Sequence, residues 1–211
     1  MLKDRVALVT AAGSGIGRAG AVAMAREGAY VVVTDLREDL AADTLAEIDA
    51  AGGRGMAQGL DVRDDAAVEG LIERVTKDHG RLDVLHSHAG IQIEGKVEEV
   101  TPAQMDAAWA LNVRAHFVAS RAVIPHMRAQ GGGSVIITAS NSGCQYDRGM
   151  VSYATTKHAA VAFFPRSEQR RGGLVEWPAW TRGKGHVRHL PGRQKLAAGI
   201  GDHRRIVGTK P

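Results

Sequence analysis

An apolar strand that runs straight into a glycine-rich turn and out into a helix leaves few folds open. Val6 to Thr10 reads as a buried strand, Ala11 to Gly17 (Ala-Ala-Gly-Ser-Gly-Ile-Gly) as the turn, and Arg18 to Gly28 as an alanine-rich helix. Gly15-Ile16-Gly17-Arg18-Ala19-Gly20 matches G-x-G-x-x-G, and Asp35 closes the next strand, Tyr30 to Thr34. Free backbone N–H groups and the positive dipole end of a helix attract a pyrophosphate, and glycines let it approach the backbone. The turn therefore points to a dinucleotide. A carboxylate at Asp35 accepts hydrogen bonds from ribose hydroxyls and repels a 2′-phosphate, which favours NAD over NADP, with Arg37 partly offsetting the repulsion.

The alternation continues along the chain. A helix is expected from Glu38 to about Ala51, stopped by Gly52-Gly53, then a strand from Met56 to Val62. Asp64-Asp65 open a helix that runs to His79 and ends at Gly80, and Leu82 to His86 forms the fourth strand. Thr101-Pro102 start another helix, the helical pattern resumes from Val113 to Arg128, and Ser134 to Ala139 is a fifth strand. Strands alternating with helices imply right-handed crossovers and a parallel sheet covered on both faces. The expected fold is α/β, a doubly wound Rossmann-type parallel sheet in three layers. Tyr153-Ala154-Thr155-Thr156-Lys157 then places a phenol and an ammonium one helical turn apart, thirteen residues after Ser140 at the end of the fifth strand.

With these residues in place, the sequence resembles the short-chain dehydrogenase/reductase family in its compact, classical-type branch. The family's Thr-Gly-x-x-x-Gly-x-Gly turn is seen as Thr10 to Gly17, its Asp-Val after strand three as Asp61-Val62, and its Asn-Ala-Gly after strand four as His88-Ala89-Gly90. Its crossover asparagine is seen as Asn112, and its serine and Tyr-x-x-x-Lys as Ser140, Tyr153 and Lys157. The resemblance spans about residues 3–164. It implies hydride transfer between NAD(H) and a secondary alcohol or ketone, a small-molecule substrate. Tyr153 would act as general base in oxidation and as acid in reduction. A free phenol, with a pKa of ~10, is a poor base near neutrality, and a nearby lysine charge favours its ionised form. The resemblance also implies that Ser140 holds the substrate oxygen, that Lys157 contacts the nicotinamide ribose, and that Asn112 holds a water in a proton relay. Thr10, Ser14, Gly15, Ile16, Gly17, Asp35, Asp61, Val62, His88, Ala89 and Gly90, with Tyr153 and Lys157, would line the cofactor. It implies a homotetramer or homodimer as well.

Three positions depart from the pattern. Ala11 replaces the first glycine of the turn, where a methyl group fits if φ is negative. Ser87 and His88 replace two asparagines that in the family tie the central strands together beside the cofactor. His88 is expected to substitute as a donor. No His, Cys or carboxylate cluster with metal-ligand spacing accompanies it, and no metal is expected. The segments Ile91 to Val97 and Asn141 to Ser152 are expected to line the pocket, with Gln92, Gln145 and Tyr146 pointing to a polar substrate.

Composition divides the chain. Residues 1–165 carry 16 Lys and Arg against 20 Asp and Glu, net −4, whereas residues 166–211 carry 11 against 3, net +8. Pro165 interrupts the helix after Lys157, and beyond it no strand–helix alternation is found. The reading is a dinucleotide-binding and catalytic body over 1–164 and a divergent basic segment over 165–211. Family members run some tens of residues further and add a sixth strand, a Pro-Gly turn, a lid and a seventh strand. Leu190-Pro191-Gly192 is the one Pro-Gly candidate. The C-terminal strands are therefore expected to be missing or irregular, as after a change of reading frame past about Phe164. The alternative is a catalytically impaired dinucleotide-binding remnant. An epimerase or dehydratase of the extended relatives is disfavoured by the glycine spacing. Nucleic-acid binding through the basic tail lacks any accompanying motif. No apolar run reaches the roughly 18 residues of a membrane span, and no secretory h-region of ~7–15 apolar residues precedes Val6, so no membrane partner is expected. The single cysteine, Cys144, excludes an internal disulfide and fits a cytoplasmic setting.

Overall fold

The computed structural model describes residues 1–163 apart from Tyr146. The readings of the basic segment, of Leu190-Pro191-Gly192 and of Tyr146 lie outside the described residues. Five parallel strands form one sheet in the order β3-β2-β1-β4-β5. They are β1 (Val6–Val9), β2 (Tyr30–Asp35), β3 (Arg54–Gly59), β4 (Val84–Ser87) and β5 (Ser134–Ile137). The helices between and after them are α1 (Gly15–Arg26), α2 (Glu38–Ala50), α3 (Asp65–His79), α4 (Pro102–Trp109), α5 (Ala115–Ala129) and, following β5, α6 (Val151–Ala162). The doubly wound parallel sheet expected from the sequence is what forms.

Successive residues of a strand face opposite sides, so a central parallel strand is apolar except where a buried polar side chain finds a partner. In β1, Val6 and Leu8 join the core that packs α3, α5 and α6, while Ala7 and Val9 join the core under α1 and α2. In β2, Val32 faces the first core and Val31 and Val33 the second. Two apolar layers on one sheet give the three-layer architecture. On α3 the buried residues are Val68, Leu71, Ile72 and Val75, the spacing of one helical face.

Local signals set several boundaries. The Asp64 side chain accepts the Ala67 N–H at the start of α3, and Gly80 at φ 68° ends it. Thr101 and Gln104 form a reciprocal capping box before α4, with Pro102 at its first turn. The first, fourth and fifth strands differ from their expected bounds by one or two residues, at Val6–Val9, Val84–Ser87 and Ser134–Ile137, and two expectations shift further. The third strand lies at Arg54–Gly59, where it pairs with β2 from Tyr30↔Arg54 to Asp35↔Gly59, so Leu60 to Val62 follow the strand instead of ending it. The two helical stretches after Thr101 are one continuous run, because a π-helical turn at Ala110–Arg114 joins α4 to α5. Such a turn absorbs one extra residue and re-aims the side chains it carries. The buried one is Asn112.

β1 pairs with β2 on one side and β4 on the other. The chain order reverses there, which opens a crevice at the C-terminal ends of β1 and β4. The glycine turn leaves β1 into this crevice and His88-Ala89-Gly90 leaves β4 beside it. Among the described residues no helix is long and apolar enough to cross a membrane.

Candidate active site

The turn after β1 is built as an open anion cradle. Ser14 is the N-cap of α1 but its side chain makes no cap hydrogen bond, and Ser14, Gly15 and Ile16 are exposed. The first N–H groups of the helix thus face outward without a side-chain acceptor. Gly15 sits at φ 52°, a left-handed conformation that suits glycine. Ala11 is also left-handed, at φ 50°, so the alanine at this glycine position is accommodated with positive φ instead of the negative φ under which its methyl group fits freely. Gly17 packs so closely that a Cβ there would lie 2.2 Å from the Ala11 carbonyl oxygen.

Asp35, half-buried at the end of β2, accepts the Gly13 N–H at 3.0 Å and the Arg37 N–H at 3.1 Å. Arg37 is turned toward Asp39, with which it forms an exposed ion pair. Asp61 is engaged by Arg63, whose side chain holds the carboxyl below the usual range against the opposing effect of burial. Val62 is buried in the core that packs α3, α5 and α6.

Thr10 ties the two central strands at the crevice: its hydroxyl oxygen accepts the His88 N–H at 2.9 Å and the Ala89 N–H at 3.2 Å. Its side chain serves the protein backbone. Asn112 is fully buried; its amide oxygen accepts the Ile91 N–H at 2.8 Å, and its nitrogen donates to the Ile91 carbonyl at 2.8 Å and to Thr156 Oγ1 at 3.0 Å. The π-helical turn aims this amide, which joins the loop after β4 to α6. Gly90 lies against the same group, since a Cβ there would sit 2.8 Å from Asn112 Oδ1 and 3.4 Å from Lys157 Nζ.

Lys157 is 3 % exposed and donates to the Thr138 carbonyl oxygen at 2.8 Å. Burial pushes its ammonium down to about 8. Nζ stands 5.7 Å from the centroid of the Tyr153 ring. Ser140 caps a short 3-10 turn, its Oγ accepting the Ser142 N–H at 3.2 Å. The loop carrying it bridges to the segment after β4: Gly95 N–H donates to Gly149 O at 2.7 Å and Val151 N–H to Gly95 O at 3.1 Å. The two segments expected to line the pocket are thereby tied together. Gln92 is turned to Glu94, and Gln145 is exposed.

Sequence reasoning missed Thr138, which gathers the site. Its carbonyl receives Lys157, its N–H donates to Ser87 O at 3.3 Å, and its hydroxyl lies 3.1 Å from His86 Nε2 and 2.8 Å from His88 Nδ1. As a β-branched residue after β5 it reads only as strand. Ser87 points to the other face, where its hydroxyl meets His116 Nδ1 at 2.7 Å. The side chains that replace the two asparagines of the family pattern are therefore paired, each with a residue distant in sequence.

The residues present fit a dinucleotide: an exposed, uncapped helix N-terminus, glycines that leave room, and a carboxylate at the end of the neighbouring strand. The sequence profile of the short chain dehydrogenase family matches residues 5–170. An uncharacterized NAD-dependent oxidoreductase of Mycobacterium tuberculosis is 34% identical over 176 residues, covering 76% of this chain and 64% of that protein. Levodione reductase of Leifsonia aquatica is 37% identical over 174 residues, covering 80% of this chain and 64% of the reductase. A 7α-hydroxysteroid dehydrogenase solved with NADH and 7-oxo glycochenodeoxycholic acid superposes with a TM-score of 0.74 at 31% identity, over 77% of this chain and 64% of that one. The chain thus spans just under two thirds of the length of these relatives.

Proposed function

The chain belongs to the short-chain dehydrogenase family of oxidoreductases, and from that premise we propose that it transfers hydride between NAD(H) and a secondary alcohol or ketone. A bound nicotinamide dinucleotide supplies the hydride acceptor or donor. Everything else falls to the residues of the crevice. The amides of Ser14 to Gly17 hold the pyrophosphate, and Asp35 holds the adenosine ribose. Asp61-Val62 and His88-Ala89-Gly90 flank the adenine side and the centre of the cofactor.

Tyr153 takes the hydroxyl proton in oxidation and returns it in reduction. Lys157 brings a positive charge beside the ring, which favours proton release from a phenol. Ser140 orients the substrate oxygen toward Tyr153. Asn112 fixes the loop after β4 and α6 at their mutual distance, so that Gly90 and Lys157 keep their places. The carrying observation is the buried ammonium of Lys157, bonded at 2.8 Å to Thr138 O and 5.7 Å from the Tyr153 ring centroid. Isolated buried charges are costly and concentrate where function needs them.

The test is a panel of secondary alcohols with NAD, read at the appearance of NADH. Turnover that falls by roughly 100-fold or more in Tyr153→Phe supports the proposal. A second reading is a chain that binds the dinucleotide in the crevice without turning over, since the features that fit the cofactor, the exposed helix N-terminus and the carboxylate of Asp35, do not depend on Ser140 or Tyr153. NADH-dependent thermal stabilisation with no turnover of any panel member would favour it.

A further inference from the structure

His86, Thr138 and His88 form a hydrogen-bonded line on the face of the sheet that packs α1. His86 Nε2 lies 3.1 Å from Thr138 Oγ1, and His88 Nδ1 lies 2.8 Å from the same oxygen. A hydroxyl has one proton and two lone pairs, and Thr138 Oγ1 has no third partner among the described residues, so its proton goes to one of the two imidazoles and it accepts from the other. The remaining nitrogens decide which. His86 Nδ1 is buried without a partner, and it faces Gly20 of α1, where a Cβ would lie 3.2 Å away. Were the His86 proton on Nδ1, a buried N–H would be orphaned, the rarer and costlier state. The proton therefore sits on Nε2 and is given to Thr138, and Thr138 gives its own to His88 Nδ1. That leaves the His88 proton on Nε2.

His88 Nε2 has no hydrogen-bond partner among the described residues, and His88 is partly exposed. Its ring edge lies over the third glycine of the turn: a Cβ on Gly17 would come within 2.9 Å of His88 Cδ2, the carbon bonded to Nε2. We propose that His86 and Thr138 lock His88 into the Nε2–H tautomer, and that this N–H donates to an acceptor oxygen of the dinucleotide where it crosses Gly17. This deepens the proposed function and rests on its dinucleotide reading. It turns a substitution in the family pattern into a donor with a fixed direction, and it makes His86 and Thr138 positioning residues for cofactor binding.

Long-range 1H–15N spectra of the full chain, labelled at histidine and glycine, report the tautomer directly, with the His88 signal identified by its loss in His88→Asn. The expected result is an Nε2–H tautomer in the absence of ligand and a shift of that proton on adding NADH. Thr138→Val keeps the carbonyl that receives Lys157 but removes the hydroxyl. It is expected to give a tautomer mixture and to weaken NADH roughly three- to tenfold, and Thr138→Ser to restore both. An Nδ1–H tautomer in the wild-type protein overturns the proposal whether or not Thr138→Val folds, as does unchanged NADH affinity in a folded Thr138→Val. NADH-induced shifts at the Gly13, Gly15 and Gly17 amides without one at His88 defeat this proposal alone. No shift at any of them defeats the dinucleotide reading and this proposal with it.

Discussion

Lys157 Nζ donates to Thr138 O at 2.8 Å, and that bond anchors a nearly inaccessible ammonium against the end of β5. Burial lowers its pKa from 10.5 to about 8. Between those values the unfolded chain binds the proton that the native state has released, so stability rises with pH through the window and the full penalty stands below it. Lys157→Met is expected to flatten this rise by on the order of 3 kcal/mol. Urea unfolding of both proteins from pH 7.5 to 10 checks it. Parallel stability curves would show that the lysine carries no burial penalty.

Asp35 serves two partners, the turn through the Gly13 N–H and, in the proposed function, the ribose of NAD. Asp35→Asn keeps an acceptor for Gly13 while removing the charge that repels a 2′-phosphate. NADH affinity is expected to drop about tenfold and NADPH to gain, so the two converge. Isothermal titration with each cofactor measures the ratio. A ratio left as in the wild type would remove Asp35 from cofactor choice.

Ala11 has φ 50°, and left-handed geometry costs an alanine roughly 1 kcal/mol or more relative to glycine. Ala11→Gly is expected to stabilise the folded chain by up to about 1 kcal/mol, the ~1–2 kcal/mol of strain relieved less the roughly 0.4–1 kcal/mol that the greater freedom of unfolded glycine costs. A rise of the thermal midpoint by a few degrees is the readout, and a fall would mean that the methyl contacts outweigh the strain.

What could be read from the sequence follows the range of the interactions. Asp64, Gly80, Thr101 and Pro102 act on backbone within a few residues, and each marks its helix boundary correctly. The alternation of apolar strands and helices carries the layer architecture for the same reason, since burial on both faces keeps β1 and Val31 to Val33 of β2 apolar, and the buried hydroxyl of Thr34 is satisfied by the Val9 carbonyl. β3 lies two residues early because its side chains are mostly half-buried and its limits come from pairing with β2, a partner some twenty residues away. Asn112 is reached only through the family resemblance, whereas the glycine turn and Lys157 could be read because their chemistry is bound to a local spacing. Thr138 could not, since its partners come from β4 and α6 and none is signalled by periodicity. The pairing of Ser87 with His116, 29 residues apart, is equally silent in the sequence.

That pair also sets how the protein meets acid. His116 is fully buried, its Nδ1 shares a proton with Ser87 Oγ at 2.7 Å, and its Nε2 has no partner. Burial, with the charges of Lys157, His88 and His86 adding to it, lowers its pKa from 6.5 to about 3. His86 behaves alike, lowered to about 4 by burial and by His88. Both folded values lie below the unfolded one, so the native state keeps these rings neutral while the unfolded chain protonates. Their contribution is whole above pH 6.5 and is lost as pH falls toward 4 and 3. Ser87→Ala alone leaves both nitrogens of His116 unsatisfied and is expected to cost about 1–3 kcal/mol at pH 7. His116→Leu with Ser87→Ala removes both polar partners together. It is expected to cost less than the single change and to make the loss of stability between pH 6.5 and 4 shallower by about one proton. Denaturant unfolding at three pH values on the three proteins measures both effects. An acid slope in the double variant as steep as in the wild type would show that His116 takes up no proton on unfolding.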